Sequence, residues 1–232
     1  MLFPTSELNE IFKNLTIFKG IISIWGDFGV GKTTFSLQTA INSSTDKKNI
    51  IYIYSKPDLP LRKINRITSG TKDKLSNIVF IQIFSFDDLY NIIYNLEFLI
   101  LKNIELKKKS YALIVIDSLT DLYRLALNKE KKEKNYNLNY NLNQILATLF
   151  FINNCYDIEI LIVNEKVNKL VNNQIVETQS GGNVMEYWVS MNIKIERTQI
   201  LKRRKFIINK YPEIQNIKYT YKLTQKGFER LS

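Results

Sequence analysis

The apolar positions of the chain fall into two kinds of pattern that alternate over much of its length. Short, nearly continuous apolar runs are typical of strands buried in a sheet, and apolar residues three or four positions apart are typical of amphipathic helices. Strands are therefore predicted over 21–25, 49–54, 78–83, 112–116 and 158–163. Helices are predicted between them, over 35–41, 59–67, 86–106 and 142–154. This alternation predicts a parallel sheet covered by helices.

The last part of the chain has a different pattern. Residues 191–196, 205–208 and 219–223 alternate apolar and polar positions, and no helical stretch separates them. Such alternation is typical of antiparallel strands that are buried on one face. The predicted fold class is therefore α/β, with a mostly parallel central sheet flanked by helices and with antiparallel strands at the C-terminal end.

One segment between a predicted strand and a predicted helix carries a chemical motif. Residues 26–33 read Gly-Asp-Phe-Gly-Val-Gly-Lys-Thr, which fits the phosphate-binding P-loop pattern G-x-x-x-x-G-K-[ST]. Glycines let backbone N–H groups turn toward phosphate oxygens, and the following helix aims the positive end of its dipole at them. A chance glycine-rich turn is the alternative, which the strand–loop–helix order disfavours.

The side chains of this motif predict how a nucleoside triphosphate would be held. Lys32 can reach the β- and γ-phosphates, and the hydroxyl of Thr33 can hold Mg²⁺. The residues expected to contact the nucleotide are Gly26, Asp27, Phe28, Gly29, Val30, Gly31, Lys32, Thr33 and Thr34. A nucleoside triphosphate and Mg²⁺ are therefore the ligands that the motif predicts.

Asp117 is a second candidate, because it ends the most apolar run of the chain. An aspartate at the carboxyl end of a central strand, downstream of a P-loop, has the Walker B position, where it supports Mg²⁺ beside Thr33. The alternative role for Asp117 is that of a helix N-cap. The P-loop upstream favours the metal-binding role.

Composition narrows the chemistry that the chain can perform. It has 232 residues, no histidine and one cysteine, so histidine bases and internal disulfides are excluded and a protein-ligated zinc ion is disfavoured. The cysteine, Cys155, is expected to be a reduced thiol in the core. The net charge of +11 favours a polyanion partner such as nucleic acid, although a composition rich in Lys, Asn and Ile explains it equally well. Without a membrane-spanning run or a secretory signal, a cytoplasmic location is expected.

The sequence around Asp117 also resembles a known family. Residues 114–124, Ile-Val-Ile-Asp-Ser-Leu-Thr-Asp-Leu-Tyr-Arg, resemble the Walker B region of the RecA/RadA recombinase superfamily, and they are most similar to archaeal RadB-like proteins and other RadA paralogues. Further segments that resemble this family, in the same order, are 8–26, 181–197, 203–210 and 224–228. The resemblance implies ATP as the nucleotide and a single RecA-like P-loop NTPase core over residues 1–232, with no N-terminal helix-hairpin-helix domain.

Two positions depart from the family pattern where hydrolysis is concerned. In the family, the strand after the P-loop helix ends Asp-Thr-Glu-Gly, and that glutamate activates water. The matching stretch here is Tyr-Ser-Lys-Pro, which puts Lys56 at the general-base position. An ammonium cannot accept a proton from water unless its pKa falls by several units, but Lys56 can pair with the γ-phosphate as a fixed charge. Glu165 replaces the family's γ-phosphate-sensing glutamine, so it is a candidate substitute base or sensor, or else a solvated loop carboxylate.

Three segments are candidates for DNA binding. The first, 127–143, falls at the family's first DNA loop and carries cations and rings that suit single-stranded DNA: Lys129, Lys131, Lys132, Lys134, Tyr136 and Tyr140. Acidic residues are interleaved with these lysines, so a solvated helix extension is an equal alternative. The second, 167–182, contains Lys169 and is assigned only by its place in the family. The third contains Arg203 and Arg204, which can contact phosphate or lie at a solvated turn.

The motifs and the resemblance together predict an ATP-binding RadB-like recombinase paralogue that assists homologous recombination and DNA repair. ATP hydrolysis is expected to be weak or absent, so whether the chain is an enzyme is left open. DNA and a main recombinase or another paralogue are the expected partners, in a homo- or hetero-oligomer. The alternatives are an active DNA-stimulated or KaiC-like ATPase, with Glu165 or Asp58 as its base, and a non-hydrolysing interaction module of a recombinase complex.

Overall fold

The computed structural model describes residues 1–14, 19–68, 72–128, 132–171, 173–210 and 217–231. Within these ranges the helices are α1 (Ser6–Asn14), α2 (Lys32–Ser43), α3 (Leu61–Ile67), α4 (Phe86–Glu105), α5 (Leu119–Ala126), α6 (Lys132–Tyr156) and α7 (Gly182–Trp188). The strands are β1 (Ile21–Gly26), β2 (Lys48–Tyr54), β3 (Ile78–Gln82), β4 (Ser110–Asp117), β5 (Glu159–Val163), β6 (Lys166–Val171), β7 (Gln174–Gln179), β8 (Val189–Arg197), β9 (Arg203–Lys210), β10 (Ile217–Thr224) and β11 (Gly227–Arg230). A 3-10 helix, Lys72–Asn77, precedes β3.

Nine of the described strands form one sheet in the order β11-β10-β9-β8-β1-β5-β4-β2-β3. The strands from β8 to β3 run parallel to their neighbours, whereas β9, β10 and β11 are added antiparallel. β6 and β7 pair only with each other within the described strands, as a separate hairpin. The predicted fold class, a mostly parallel sheet with antiparallel strands at its C-terminal end, is confirmed.

The sheet separates two apolar cores, and the central strand β4 serves both. Ile114 and Ile116 belong to the core built with α4, α5, α6 and α7, whereas Leu113 and Val115 belong to the core built with α1, α2, α3 and the C-terminal strands. All four side chains are fully buried. A strand covered on both faces cannot alternate polar and apolar residues, which explains the continuous apolar run that the sequence has here.

The parallel strands bring the candidate residues to one edge of the sheet, which we call the carboxyl edge. The P-loop follows β1, Lys56 follows β2, Asp117 ends β4 and Glu165 follows β5. Arg197 ends β8 at the same edge, because β8 runs parallel to β1. Residues from distant parts of the chain therefore meet around the start of α2.

The structure also contains elements that were not predicted, among them α1, α5, α7 and β11, and it differs from the sequence predictions at three further points. The helix predicted over 142–154 begins at Lys132, so α6 covers much of the first candidate DNA segment; its early turns are polar and carry little apolar periodicity. No strand is predicted over 167–182, whereas this segment contains β7 and most of β6. Cys155 is exposed near the end of α6 and does not lie in the core.

None of the helices in the described ranges is both long and apolar enough to cross a bilayer.

Candidate nucleotide site and nucleic-acid edge

The P-loop joins β1 to α2, and its backbone path requires glycine. Gly29 and Gly31 have φ angles of 75° and 112°, in the left-handed region where a Cβ atom is unfavourable. Space is limiting as well, since a Cβ atom on Gly31 would lie 2.8 Å from Cζ of Phe228 in β11. The loop therefore packs closely on the last described strand while α2 begins beside it with the N-terminal residue Lys32.

Two arginines from the antiparallel end of the sheet hold carbonyl groups of the P-loop. Arg197 donates from Nη2 to the oxygen of Phe28 at 2.9 Å, and Arg204 donates from Nε to the oxygen of Val30 at 3.1 Å. Burial and the neighbouring charge of Arg197 lower the pKa of Arg204 from its ordinary value. Arg204, which the sequence suggested as a DNA contact, is thus engaged with the P-loop.

The P-loop lysine is held by its own loop and by an acidic residue beyond β5. Lys32 Nζ donates to the carbonyl oxygens of Gly26 and Asp27, each at 2.9 Å. It also donates to Oε2 of Glu165 at 2.9 Å. The Glu165 side chain is only 19 % exposed, so Glu165 is not the solvated loop carboxylate that the sequence left open. Burial raises the pKa of Glu165, and the hydrogen bond from Lys32 opposes this shift.

Asp117 is a buried carboxylate whose orientation is fixed from β2 and α2. Tyr52 donates its hydroxyl to Oδ2 of Asp117 at 2.9 Å and shares a 2.8 Å hydrogen bond with Oγ of Ser36. Burial, and then the charge of Asp117, raise the pKa of Tyr52 well above its ordinary value, so this hydroxyl keeps its proton. The other carboxylate oxygen, Oδ1, faces the side chain of Lys56.

Lys56 reaches from the end of β2 to the start of α2. Its Nζ donates to Oγ1 of Thr33 at 2.5 Å and lies 4.0 Å from Oδ1 of Asp117. Gln82 fixes the backbone here by donating from Nε2 to the carbonyl oxygens of Lys56 and Pro57, at 3.2 and 2.6 Å. The ammonium of Lys56 therefore lies between the two residues that the sequence predicted to hold Mg²⁺.

These residues line an open cleft of about 1500 Å³ at the carboxyl edge. The basic side chains in its lining are Lys32, Lys56, Arg62, Lys63, Arg66, Arg124, Lys202 and Lys222. The acidic ones are Asp58, Asp117, Asp121 and Glu165. Burial and the charge of Lys56 lower the pKa of Lys63, in part against the opposing charge of Asp117. Basic residues outnumber acidic ones by eight to four, which suits a polyphosphate.

The geometry fits a triphosphate but disagrees with Mg²⁺ at its expected place. A glycine-rich loop, a helix N-terminus and an excess of cations are the groups that bind polyphosphates. The Thr33 hydroxyl and Asp117, however, both face the ammonium of Lys56, so a divalent ion could lie beside them only if Lys56 moved. Among the described residues, no group of three or more His, Cys, Asp or Glu side chains could hold a metal ion.

The hairpin of β6 and β7 is tied to the P-loop and to β8 by an ion-pair chain of Asp27, Lys166, Glu177 and Lys194. Lys166 Nζ lies 2.8 Å from Oδ1 of Asp27 and 2.7 Å from Oε1 of Glu177. Lys194 Nζ lies 2.6 Å from Oε2 of Glu177. The hydrogen bonds from Lys166 and Lys194 lower the pKa of Glu177 to about 2. The ion-pair chain connects the second candidate DNA segment to the nucleotide site.

The candidate DNA residues lie in separate places. Lys134, Tyr136 and Tyr140 are exposed in the first turns of α6, where Tyr136 is 78 % exposed. Lys169 is exposed on β6 and donates to Oδ1 of Asn183 at 3.4 Å.

The remaining candidates are at the start of β9 and before α6. Arg203 is exposed at the first position of β9. Lys129 and Lys131 lie outside the described residues, and Lys132 is described only as the first residue of α6. Within the described residues, exposed cations and tyrosines thus occur on α6, on the hairpin and on β9.

Sequence reasoning missed several side chains that shape the site. Tyr52 was interpreted only as part of a predicted strand. Its contact with Asp117 joins residues that are 65 positions apart, so no local pattern indicates it. Arg197 contacts the P-loop across 169 positions. A direct signal existed only for Lys166, a basic residue that lies between Glu165 and the candidate DNA segment 167–182.

Fold and site define the class of protein to which the chain belongs, a RecA-like α/β domain with a P-loop at the carboxyl end of β1. A model of the Rad51 family matches residues 5–230. The chain therefore belongs to the Rad51 family, and the resemblance found in the sequence is confirmed.

The chain is also similar to archaeal proteins named DNA repair and recombination protein RadB. The relative from Methanocaldococcus jannaschii is 30 % identical over 213 residues, which cover 91 % of this chain and 93 % of that protein. The relative from Methanococcus maripaludis is 29 % identical over 226 residues, or 96 % of each chain. The relative from Methanosphaera stadtmanae is 27 % identical over 200 residues, which cover 85 % of this chain and 82 % of that protein.

Proposed function

We propose that the chain is an ATP-binding RadB-like recombinase paralogue that binds DNA, assists homologous recombination and repair, and hydrolyses ATP slowly or not at all. The names of the RadB relatives support the role in recombination and repair, and their similarity spans most of both chains. The Rad51 family is generally nucleotide- and Mg²⁺-dependent, which supports a nucleotide as the ligand. A main recombinase or another paralogue is the proposed protein partner.

ATP binding is supported by the groups that surround the start of α2. The P-loop backbone would cradle the phosphates from Gly29 to Thr34, and the dipole of α2 would attract their charge. Lys32 would exchange its hydrogen bonds with loop carbonyls and Glu165 for bonds to the β- and γ-phosphates. The excess of basic side chains in the cleft would stabilise the charge that remains.

The observation that carries slow hydrolysis is the ammonium of Lys56, 2.5 Å from the Thr33 hydroxyl. An ammonium at the general-base position donates hydrogen bonds and does not accept a proton from water. Loss of a general base typically costs about 10²–10⁴ in rate. ATP would therefore stay bound and act as a ligand that favours one conformation or one assembly.

The contacts of the β6–β7 hairpin would connect ATP binding to the conformation of the second candidate DNA segment. Glu165, the partner of Lys32, immediately precedes Lys166, which is paired with Asp27 of the P-loop and with Glu177 of β7. A triphosphate that takes over Lys32 would release Glu165 at the base of the hairpin. The conformation of the second candidate DNA segment would then respond to ATP.

The test is a calorimetric titration with ATP, together with steady-state phosphate release measured with and without single-stranded DNA. We expect measurable ATP affinity, little phosphate release in either condition, and loss of affinity in Lys32→Ala with the fold unchanged by circular dichroism. If wild-type protein binds no ATP, or if Lys32→Ala binds it equally well, the proposed nucleotide site is wrong.

An active ATPase is a second candidate, because Glu165 and Asp58 place carboxylates in the cleft. Brisk phosphate release that DNA stimulates and that Glu165→Gln abolishes would favour this candidate over slow hydrolysis. Because bound ATP would release Glu165 from its ion pair with Lys32, the rate of phosphate release decides between the two candidates.

A further inference from the structure

The place predicted for Mg²⁺ is taken by a side chain of the protein. Mg²⁺ in a P-loop site lies beside the hydroxyl of the motif's last residue and the Walker B aspartate, where it bridges the β- and γ-phosphates. In this chain Nζ of Lys56 donates to Oγ1 of Thr33 at 2.5 Å and lies 4.0 Å from Oδ1 of Asp117. The hydroxyl oxygen of Thr33 therefore accepts a hydrogen bond from Lys56, and the Asp117 carboxylate faces the same ammonium.

The groups next to Lys56 are fixed in place, although the Lys56 side chain itself is 43 % exposed. Asp117 is buried, and Tyr52 holds its Oδ2 while Oδ1 faces Lys56. The backbone of Lys56 is fixed by the two hydrogen bonds from Gln82. A divalent ion at the same place would lie beside an ammonium and would be repelled by it.

We propose that Lys56 is a tethered cation that replaces Mg²⁺ at this P-loop, so that the chain binds metal-free ATP. This inference rests on the proposed ATP site and adds to it the form in which ATP is bound. A lysine ammonium is a compact point charge with three donors, which suits bridging phosphate oxygens and the Thr33 hydroxyl.

The charge of the cleft agrees with a metal-free ligand. ATP without Mg²⁺ carries two more negative charges than its magnesium complex, and the protein must supply the compensation. Besides Lys32 and Lys56, the cleft is lined by six further basic side chains, including Arg62, Lys63 and Arg124. The same cation also disfavours water attack, because it fills the general-base position with a proton donor.

The experiment compares ATP affinity by calorimetry in excess EDTA and in millimolar Mg²⁺, for wild-type protein and for Lys56→Ala. Wild-type protein should bind ATP in EDTA at least as tightly as in Mg²⁺. Lys56→Ala should lose about 10- to 100-fold in affinity in EDTA, the effect of one charge-assisted phosphate contact. Mg²⁺ should recover much of that loss, because the Thr33 hydroxyl and Asp117 become accessible to the ion.

The matched control is Lys63→Ala, which removes one positive charge from the same cleft but not from Thr33. It should weaken binding by a similar factor in EDTA and in Mg²⁺. Wild-type ATP binding that requires Mg²⁺ would overturn the role of Lys56 and leave the ATP site standing. The same holds if Lys56→Ala shows no altered response to Mg²⁺. An absence of binding in both conditions would overturn the ATP site and this inference with it.

Discussion

At the scale of single residues, the contact between Glu165 and Lys32 should control the affinity for the nucleotide. The ion pair joins Nζ and Oε2 at 2.9 Å, and the Glu165 side chain is largely buried. ATP has to displace this carboxylate before Lys32 can contact phosphate. Glu165 therefore competes with the ligand, and the strength of that competition can be measured.

We predict that Glu165→Gln binds ATP more tightly than wild-type protein, by about tenfold, which corresponds to one charge-assisted hydrogen bond. A neutral amide neither neutralises Lys32 nor repels the phosphates. The measurement is the dissociation constant by calorimetry. Asp121→Asn is the matched control, since Asp121 also lines the cleft but does not hold Lys32; its gain should be smaller. Weaker binding by Glu165→Gln would mean that the carboxylate assists binding.

Local motifs of the site were predicted from the sequence, whereas contacts between distant residues were not. The P-loop and Asp117 could be identified because each is local, a motif or the end of an apolar run. The contacts of Lys56 with Thr33 and of Tyr52 with Asp117 depend on how the strands order themselves in the sheet. Residue type and spacing alone do not reveal which strand lies next to which.

The hairpin of β6 and β7 is the element that the sequence predicted least well. Leu170, Ile175 and Val176 are exposed, so neither face of the hairpin is buried as a sheet face would be, and the alternation that marks a strand is weak. The strands β1, β4 and β5 were predicted correctly because they are buried on both faces. The ion-pair chain, whose members are dispersed along the chain, and the hydrogen bond from Ser23 to Gln179 at the end of β7 join the hairpin to the sheet.

We predict that Glu177→Gln loosens the hairpin without unfolding the sheet. Because the ion pairs are partly exposed, amide exchange in peptides covering 166–179 should accelerate only about two- to fivefold. Exchange in β1 and β5 should be unchanged, and hydrogen–deuterium exchange followed by mass spectrometry measures both. Glu186→Gln, at an exposed site on α7, is the control and should leave the hairpin protected. Equal exchange in Glu177→Gln and wild-type protein would show that the ion-pair chain does not hold the hairpin.

The same carboxylate gives a pH dependence whose sign is fixed by its pKa. The pKa of Glu177 is lowered from 4.5 to about 2 by Lys166 and Lys194. A lowered folded-state pKa stabilises the protein above the ordinary pKa, and this stabilisation is lost as pH falls from about 4.5 toward about 2. Protection of the hairpin amides should therefore decrease over this range in wild-type protein, and less so in Glu177→Gln.

At the scale of the whole molecule, the candidate sites meet at the carboxyl edge of the sheet. The nucleotide cleft, the base of the hairpin and the start of β9 all lie at this edge. The first turns of α6 reach this edge as well. The helix ends just before the start of β5, at the opposite edge, and its 25 residues are long enough to span the sheet. The proposed DNA contacts and the nucleotide site would thus share one side of the molecule.

We predict that single-stranded DNA binding weakens steeply with salt, because phosphate contacts release counterions. Arg203→Ala should reduce the slope of log affinity against log salt by about one. Tyr136→Ala should cost about 1–3 kcal/mol per stacked base and leave that slope unchanged. Fluorescence anisotropy with a labelled oligonucleotide over a salt series measures both quantities.

The control for this series is Lys108→Ala, an exposed lysine between α4 and β4 at the opposite edge of the sheet. It should change neither the affinity nor the slope by much. Binding that does not depend on salt, or no binding at low salt, would contradict the proposed DNA-binding edge.

The bonds from Arg197 and Arg204 to the P-loop have a consequence for how fast a ligand can bind. Together with the close packing of Gly31 on Phe228, they fix the loop through strands that follow it far along the chain. A loop already held in one shape loses little conformational entropy when a ligand arrives. The association rate should then be set by diffusion and by exchange of the Lys32 contacts, with no slow phase for ordering the loop.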